Sequence, residues 1–356
     1  MPAKAKPPAK TTVKRCFAPM DYIQDLYQAT TPSLRFEAKT PEEAAAWRRK
    51  LRAKFVQLLG GLDGPRCDLA PQVSKRQKMD GYVRERVVFQ SRENLSVPAW
   101  VLIPQEADGP LPAMICLHGH GAGKDEIVGI ADDGTQRTEP GGYQFDFAVQ
   151  AVQRGFLVIA PDMFGFGERR DKPEVEQSKG TSSCRRPSLA AMLMGRTVPG
   201  IRVYDVIRCV DYLQTRPEVN PKRIGLMGIS GGGEVTTFAA AVEERIGAAL
   251  ISGYLAFWKD SIIPIRHCED NYVPGILQYA EMPDIASLIA PRPVFFENGS
   301  QDTIFPLRSA RAAFRQIQHA YDVLGVAHRC GMEVFEGPHQ FWGKKGFPFL
   351  ERWLKG

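Results

Sequence analysis

Residues 223–242 read RIGLMGISGGGEVTTFAAAV. The opening residues form a short, mostly apolar run of the length of a buried strand, and the closing residues form a small, apolar, helix-forming run. Between them Gly228-Ile229-Ser230-Gly231-Gly232 fits G-x-S-x-G. A serine stands on so sharp a strand-to-helix turn only if its neighbours lack side chains, and the turn lifts its hydroxyl above the sheet. The turn also aims first-turn N–H groups, that of Gly231 among them, at negative charge developing beside Ser230. A dinucleotide-binding turn is the rival reading of a glycine-rich strand–helix junction. It fails on spacing, because Gly225, Gly228 and Gly231 do not make G-x-G-x-x-G. Nor does an acidic residue end a following strand about 20 positions on.

Around this unit, from residue 82 onward, short apolar runs alternate with helical stretches. The pattern predicts strands over 82–90, 97–103, 112–117, 156–160, 223–227, 246–251, 293–297 and 332–336. It predicts helices over 145–153, 201–214, 232–242, 307–324 and 346–354. Glu93-Asn94 joins the first two strands as a hairpin. The expected architecture is an α/β fold, with a mostly parallel eight-stranded sheet covered by helices on both faces. Ligands then belong at the carboxyl ends of the strands. Two segments break the alternation, 164–200 and 256–287, and are expected to be insertions that shape that edge. Before the sheet, residues 41–59 read as a helix, with Thr40 and Glu43 as a capping box and Trp47, Leu51, Phe55 and Leu58 as its apolar stripe. The expected organisation is a disordered basic tail (1–15), a helical extension (16–80) packed on the core, and a catalytic domain (81–356).

Composition narrows the possibilities. The 356 residues are 44% hydrophobic and 24% charged, which excludes disordered, collagen-like and coiled-coil chains. Five of the positive charges behind the net +6 (Lys4, Lys6, Lys10, Lys14 and Arg15) lie in the acid-free tail. The remainder carries 41 basic against 40 acidic residues, so no nucleic-acid surface is expected on the body. The tail lacks an apolar core of roughly 7–15 residues and is not read as a secretory signal. No apolar run reaches about 18 residues, so no membrane span is expected. The seven cysteines are scattered, odd in number and without a C-x-x-C pair, which points to reduced thiols and a cytoplasmic protein.

A lone serine needs a base, and in this fold type the order is serine, acid, histidine. His339, in Glu336-Gly337-Pro338-His339, follows the last predicted strand and is the expected base. His319 lies in a helix, His328 at the wrong edge of the sheet, and His267 in an insertion. Asp302, just after the seventh predicted strand, is the expected acid, with Asp260 as its rival. The loop Leu117-His118-Gly119-His120-Gly121-Ala122-Gly123-Lys124 is expected to supply the second oxyanion donor beside Gly231, from the His120 main chain. The His118 and His120 side chains are read as bracing that loop, and Asp162 as a further brace. The loop is not a P-loop, because Asp125 stands where Ser or Thr is required. A His-x-His metal site lacks a third ligand in the motif, so no metal is expected. Phe164, Phe166, Trp258, Tyr272 and Trp342 fall on presumed active-edge loops and are the candidate pocket lining.

The segments LHGHGAGKDE, APDMFGFGER, GRTVPGIRVYDVIRCVDYLQTRPEVNPKRIGLMGISGGG, HCEDNYVPG, DIASLIAPRPVFFENGSQD and EGPHQF together resemble an α/β-hydrolase over roughly 80–356. More narrowly they are similar to the dienelactone-hydrolase-like branch that includes acetyl xylan esterase-like proteins. The resemblance implies a Ser230–His339–Asp302 triad. Dienelactone hydrolase itself uses a cysteine nucleophile; serine at 230 favours ordinary ester hydrolysis. The expected activity is serine carboxylic ester hydrolysis without a cofactor, on small-molecule, short-acyl esters, since neither insertion holds a long apolar stripe. A prolyl-oligopeptidase-like peptidase or amidase is the alternative enzyme, and an inactive scaffold on the same fold the alternative of another class.

Overall fold

In the computed structural model, residues 15–60, 62, 64, 66–105, 109–178 and 180–356 are described; all of the predicted tail but Arg15 lies outside them. Nine strands among the described residues form one sheet: β1 (Gln72–Lys78), β2 (Tyr82–Arg92), β3 (Leu95–Pro104), β4 (Leu111–Leu117), β5 (Leu157–Pro161), β6 (Val219–Ile229), β7 (Ile246–Ser252), β8 (Val294–Gly299) and β9 (Cys330–Phe335). Their order is β1-β2-β3-β5-β4-β6-β7-β8-β9. The first three strands and β5 pair antiparallel, and from β5 to β9 every pairing is parallel.

The sheet thus has nine strands rather than the eight expected. The addition is β1, QVSKRQK, which lies before residue 81, so the segment expected to be a helical extension also supplies a strand. Its side chains are nearly all exposed, as befits an edge strand whose lysines and arginine discourage further pairing. So polar a run gives no apolar alternation to read.

The sheet has an apolar core on each face because side chains alternate along a strand. In β4, Ile115 and Leu117 join one core and Met114 and Cys116 the other. The larger core packs under α2 (Pro41–Leu58), α7 (Val198–Thr215), α8 (Gly231–Val242), α9 (Met282–Ser287) and α10 (Leu307–Val323). The smaller packs under α4 (Phe147–Gln153) and α11 (Gly346–Leu354). Leu51 and Phe55 of α2 are fully buried in the larger core, while Trp47 and Leu58 pack against it half-buried. The Thr40 hydroxyl accepts from Glu43 N, but Glu43 turns its carboxylate to Lys39 N (2.8 Å), one residue before the expected partner. Four further α-helices lie among the described residues: α1 (Pro19–Ala29), α3 (Lys124–Ile127), α5 (Lys172–Val175) and α6 (Arg185–Leu193). No helix among the described residues is long and apolar enough to cross a membrane.

Candidate active site

Strand β6 runs straight into α8 at Ser230, and close approach of the backbone is why glycines flank the turn. A Cβ on Gly228 would stand 2.4 Å from Gly232 O, and one on Gly232 would stand 2.0 Å from Leu117 O. Ser230 itself has φ 56° and ψ −123°, a conformation of the kind that costs a non-glycine residue about 1–3 kcal/mol. Its N–H donates to Ser252 O (3.0 Å), tying the turn to the end of β7. Its side chain caps nothing, which leaves the hydroxyl free for chemistry.

His339 and Asp302 meet at this edge. His339 Nδ1 lies 2.7 Å from Asp302 Oδ2. The other carboxylate oxygen accepts from Ile304 N (2.8 Å) and Phe305 N (2.9 Å), so Asp302 is locked in orientation. The imidazole lies between the rings of Tyr143 and Phe305 and over Gly253, the residue after β7. A Cβ on Gly253 would stand 2.8 Å from His339 Cε1. Nε2, the nitrogen remote from Asp302, is buried and has no hydrogen-bond partner among the described residues. Ser230 and His339 therefore both lean on the 252–253 end of β7. The rival residues are turned elsewhere: Asp260 accepts from Ser309 Oγ (2.7 Å), His267 lies 3.3 Å from Ser261 Oγ, His319 meets Phe36 edge-on and His328 lies by Trp353.

The loop that carries His339 hangs from β8. Glu297 is fully buried and accepts from Trp342 N and Gly343 N, both at 2.9 Å. Burial pushes its pKa up to about 7. The folded chain therefore holds a proton that the unfolded chain has lost. Stability from this group is present below its ordinary pKa and declines as pH rises from about 4.5 to about 7, by at most about 1.4 kcal/mol per unit. Urea unfolding from pH 5 to 7 should show that slope in the wild type and not in Glu297→Gln; parallel pH profiles would refute it.

The loop after β4 is braced from three sides. His118 is buried; its Nε2 accepts from Met163 N (3.0 Å), its Nδ1 faces Gly119 O (2.7 Å), and burial pulls its pKa down to about 3. Gly119 N donates to Gln144 Oε1 (2.7 Å), and Ala122 N to Glu126 Oε2 (3.2 Å). No hydrogen bond engages the His120 amide among the described residues, although His120 O accepts from Tyr143 Oη (2.8 Å). A Cβ on Gly231 would stand 3.1 Å from His120 Nδ1, so the two candidate oxyanion residues adjoin.

Asp162 does brace this loop. It accepts from Lys124 N (2.8 Å), Lys124 Nζ (2.9 Å) and Glu168 N (2.9 Å). Lys124 is 2% exposed and also reaches Glu168 Oε1 at 2.6 Å. Burial opposes its charge, but Asp162, Asp125 and Glu168 outweigh burial and raise its pKa above the ordinary lysine value. Removing one partner of a buried pair strands the other, so Lys124→Ala should cost about 3–5 kcal/mol in denaturant unfolding, and adding Asp162→Asn should recover part of that. Wild-type stability in Lys124→Ala would mean the cluster bears no weight.

The five aromatics expected to line one pocket do not come together. Phe166 is fully buried behind His118 and His120, and Phe164 lies under the Arg169 guanidinium. Trp342 stacks on Phe335. Trp258 and Tyr272 line an apolar cleft of about 780 Å³ whose other walls come from α1, α6 and residues 262–278. That cleft includes none of Ser230, His339, Asp302 or His120. The sequence reading missed α1 as a wall, because an isolated helix of its length gives no tertiary signal.

Behind His120 lies a buried polar group that the sequence reading also missed. Arg202, fully buried, bonds Asp270 Oδ2 at 2.6 Å, and Cys184 Sγ lies 3.1 Å from the same oxygen. Burial opposes charge on His120, yet Asp270 and Cys184 beside it push its pKa up to about 10. The one sequence signal was charge, Arg202, Asp205 and Arg208, on a helix whose remaining positions are mostly apolar and buried.

The profile of the Abhydrolase family matches residues 9–348. The chain belongs to the Abhydrolase family. Among relatives of this Abhydrolase chain, "Putative hydrolase YtaP" of Bacillus subtilis (strain 168) is 27% identical over 320 residues, covering 86% of this chain and all of the relative. Among solved structures, a "putative acetyl xylan esterase" of Bacteroides fragilis is similar with a TM-score of 0.82, at 19% identity over 96% of each chain. A glucuronoyl esterase from Solibacter usitatus is similar with a TM-score of 0.65, at 13% identity over 91% of this chain and 96% of the other. At such identities the likeness is one of fold, and the fold is that of the α/β-hydrolases.

Proposed function

We propose that the chain is a serine carboxylic ester hydrolase. The observation that carries this reading is the His339–Asp302 pair at 2.7 Å, with Asp302 locked by two amides and His339 Nε2 buried, with no hydrogen-bond partner among the described residues, at the edge where Ser230 stands. Ser230 Oγ attacks the ester carbonyl while His339 Nε2 takes its proton, and Asp302 stabilises the imidazolium. The Gly231 and His120 amides receive the oxyanion. His339 then gives its proton to the leaving alcohol, and water activated by His339 clears the acyl-Ser230 intermediate. The esterase names of the two solved structures of similar fold support the choice of esters. A fluorophosphonate probe tests the reading: it should modify Ser230 stoichiometrically, mapped by peptide mass spectrometry, and abolish p-nitrophenyl acetate hydrolysis. An unmodified Ser230 in folded protein would overturn it.

The acyl side is proposed to be short. The insertions mix aromatics with many charges, and the apolar cleft they help to line shares no wall residue with the triad. An apolar slot would add about 0.8 kcal/mol per methylene, whereas a closed one imposes a steric cost. On nitrophenyl esters kcat/KM should therefore peak between acetyl and butyryl and fall more than about tenfold, about 1.4 kcal/mol, at octanoyl. A steady rise through decanoyl would mean that the chain reaches the cleft.

A further inference from the structure

We infer that the cluster behind the oxyanion loop is a structural zinc site, with His120, Cys184, Cys268 and Asp270 as its ligands. Each offers one ligand atom, and the four atoms all lie within 4.8 Å of one another. A tetrahedral zinc with S, S, N and O ligands holds them about 3.3–3.8 Å apart, so small side-chain adjustments close the site. Asp270 Oδ2 already stands 3.1 Å from Cys184 Sγ and 3.5 Å from His120 Nε2. That last contact is an ion pair at the long limit of a hydrogen bond, and Nε2 makes no well-formed hydrogen bond among the described residues. An imidazole nitrogen held only by this long contact and grouped with two thiols and a carboxylate is an arrangement a metal completes. The donor set is soft on two sides, which favours zinc over magnesium or calcium.

The surroundings fit the charge. Two thiolates and a carboxylate on Zn²⁺ leave one net negative charge, and the buried Arg202 guanidinium supplies the positive one. It bonds Asp270 Oδ2 at 2.6 Å and lies 3.5 Å from Cys184 Sγ. Asp270 Oδ1 accepts from Asn271 Nδ2 (2.9 Å), which orients the carboxylate. Such outer partners usually hold metal ligands in place. On binding, the metal takes the place of the protons on the two sulfurs and on Nε2. His120 then keeps its proton on Nδ1, the atom facing Gly231.

The ligands come from three segments: the loop after β4, the residue before α6 and the turn at 268–270. Zinc would thus staple both insertions to the oxyanion loop. The site does not rest on ester hydrolysis, because metal content is read without turnover. The test uses the full chain, produced without a metal-affinity tag, stripped by a chelator, kept in a phosphine reductant and titrated against a chromophoric zinc indicator. One zinc per chain is expected, bound at nanomolar Kd or tighter, and Cys184→Ser and Cys268→Ser should each weaken it at least a hundredfold. Cys330→Ser, on β9, should bind as the wild type does. Cobalt substitution of the unmutated chain should give the visible bands of a tetrahedral thiolate site, a readout that needs no variant to fold. No stoichiometric zinc in the reduced, folded chain, or serine variants that bind equally well, would overturn the site.

Discussion

Ser230→Ala should leave the fold intact and lower kcat by about 10⁴–10⁶. The fold should survive because the Ser230 hydroxyl makes no capping bond, and alanine is no worse placed than serine at φ 56°. The turn is held instead by the Ser230 N–H on Ser252 O and by the close approach of Gly232 to Leu117 O. His339→Ala should cost a similar factor. Once the base is gone the hydroxyl keeps its proton, so the double variant should be little slower than either single one. What remains is the contribution of the oxyanion donors and of binding. Melting temperatures separate chemistry from stability: Ser230→Ala should melt as the wild type does, whereas His339→Ala also removes a ring held between Tyr143 and Phe305. Near-wild-type turnover in either single variant, or losses that multiply in the double one, would remove the pair from the mechanism.

The parts that were legible in the sequence are those where burial imposes a period. Strand β6 and helix α8 could be read because every residue from Ile224 to Ile229 and from Gly231 to Val242 is buried, so both runs are apolar or glycine except at Glu234, Thr236 and Thr237. Helix α10 could be read because Ala310, Ile317 and Tyr321 are buried on one face between exposed positions. Strand β1 could not, because QVSKRQK buries almost nothing and is held by backbone pairing to β2. His339 and Asp302 were found by chain order, since each follows a strand at the active edge. The cluster of His120, Cys184, Cys268 and Asp270 obeys no such order. Its members come from two insertions and a loop, and the sequence shows only cysteines without a motif. The pocket aromatics failed for a related reason. Position at the right edge does not fix which way a ring points, and Phe166 turns inward to pack on His118 and His120.

Asp302→Asn should cost about 10⁴ in kcat, and the geometry gives the reason. Asp302 Oδ1 accepts from two amides, Ile304 N and Phe305 N, while Oδ2 faces His339 Nδ1. An asparagine has one oxygen, and two N–H donors outweigh one. The oxygen therefore takes the Oδ1 place and the NH₂ group faces the imidazole. Nδ1 must then accept, which moves the ring proton to Nε2, the nitrogen needed to take the proton from Ser230. The substitution installs the wrong tautomer rather than removing the ring. Stability should change little, because shape and the two amide bonds are kept. Fluorophosphonate labelling of Ser230 should slow together with turnover, since both depend on the same proton transfer, and this comparison does not require the natural ester. Asp260→Asn is the matched control: its Oδ2 accepts from Ser309 Oγ, a role the asparagine oxygen can fill, so activity should stay within about threefold. If Asp260→Asn were the crippled enzyme and Asp302→Asn the active one, the acid would belong after β7, and the 2.7 Å contact between Asp302 and His339 would be a brace for the loop and nothing more.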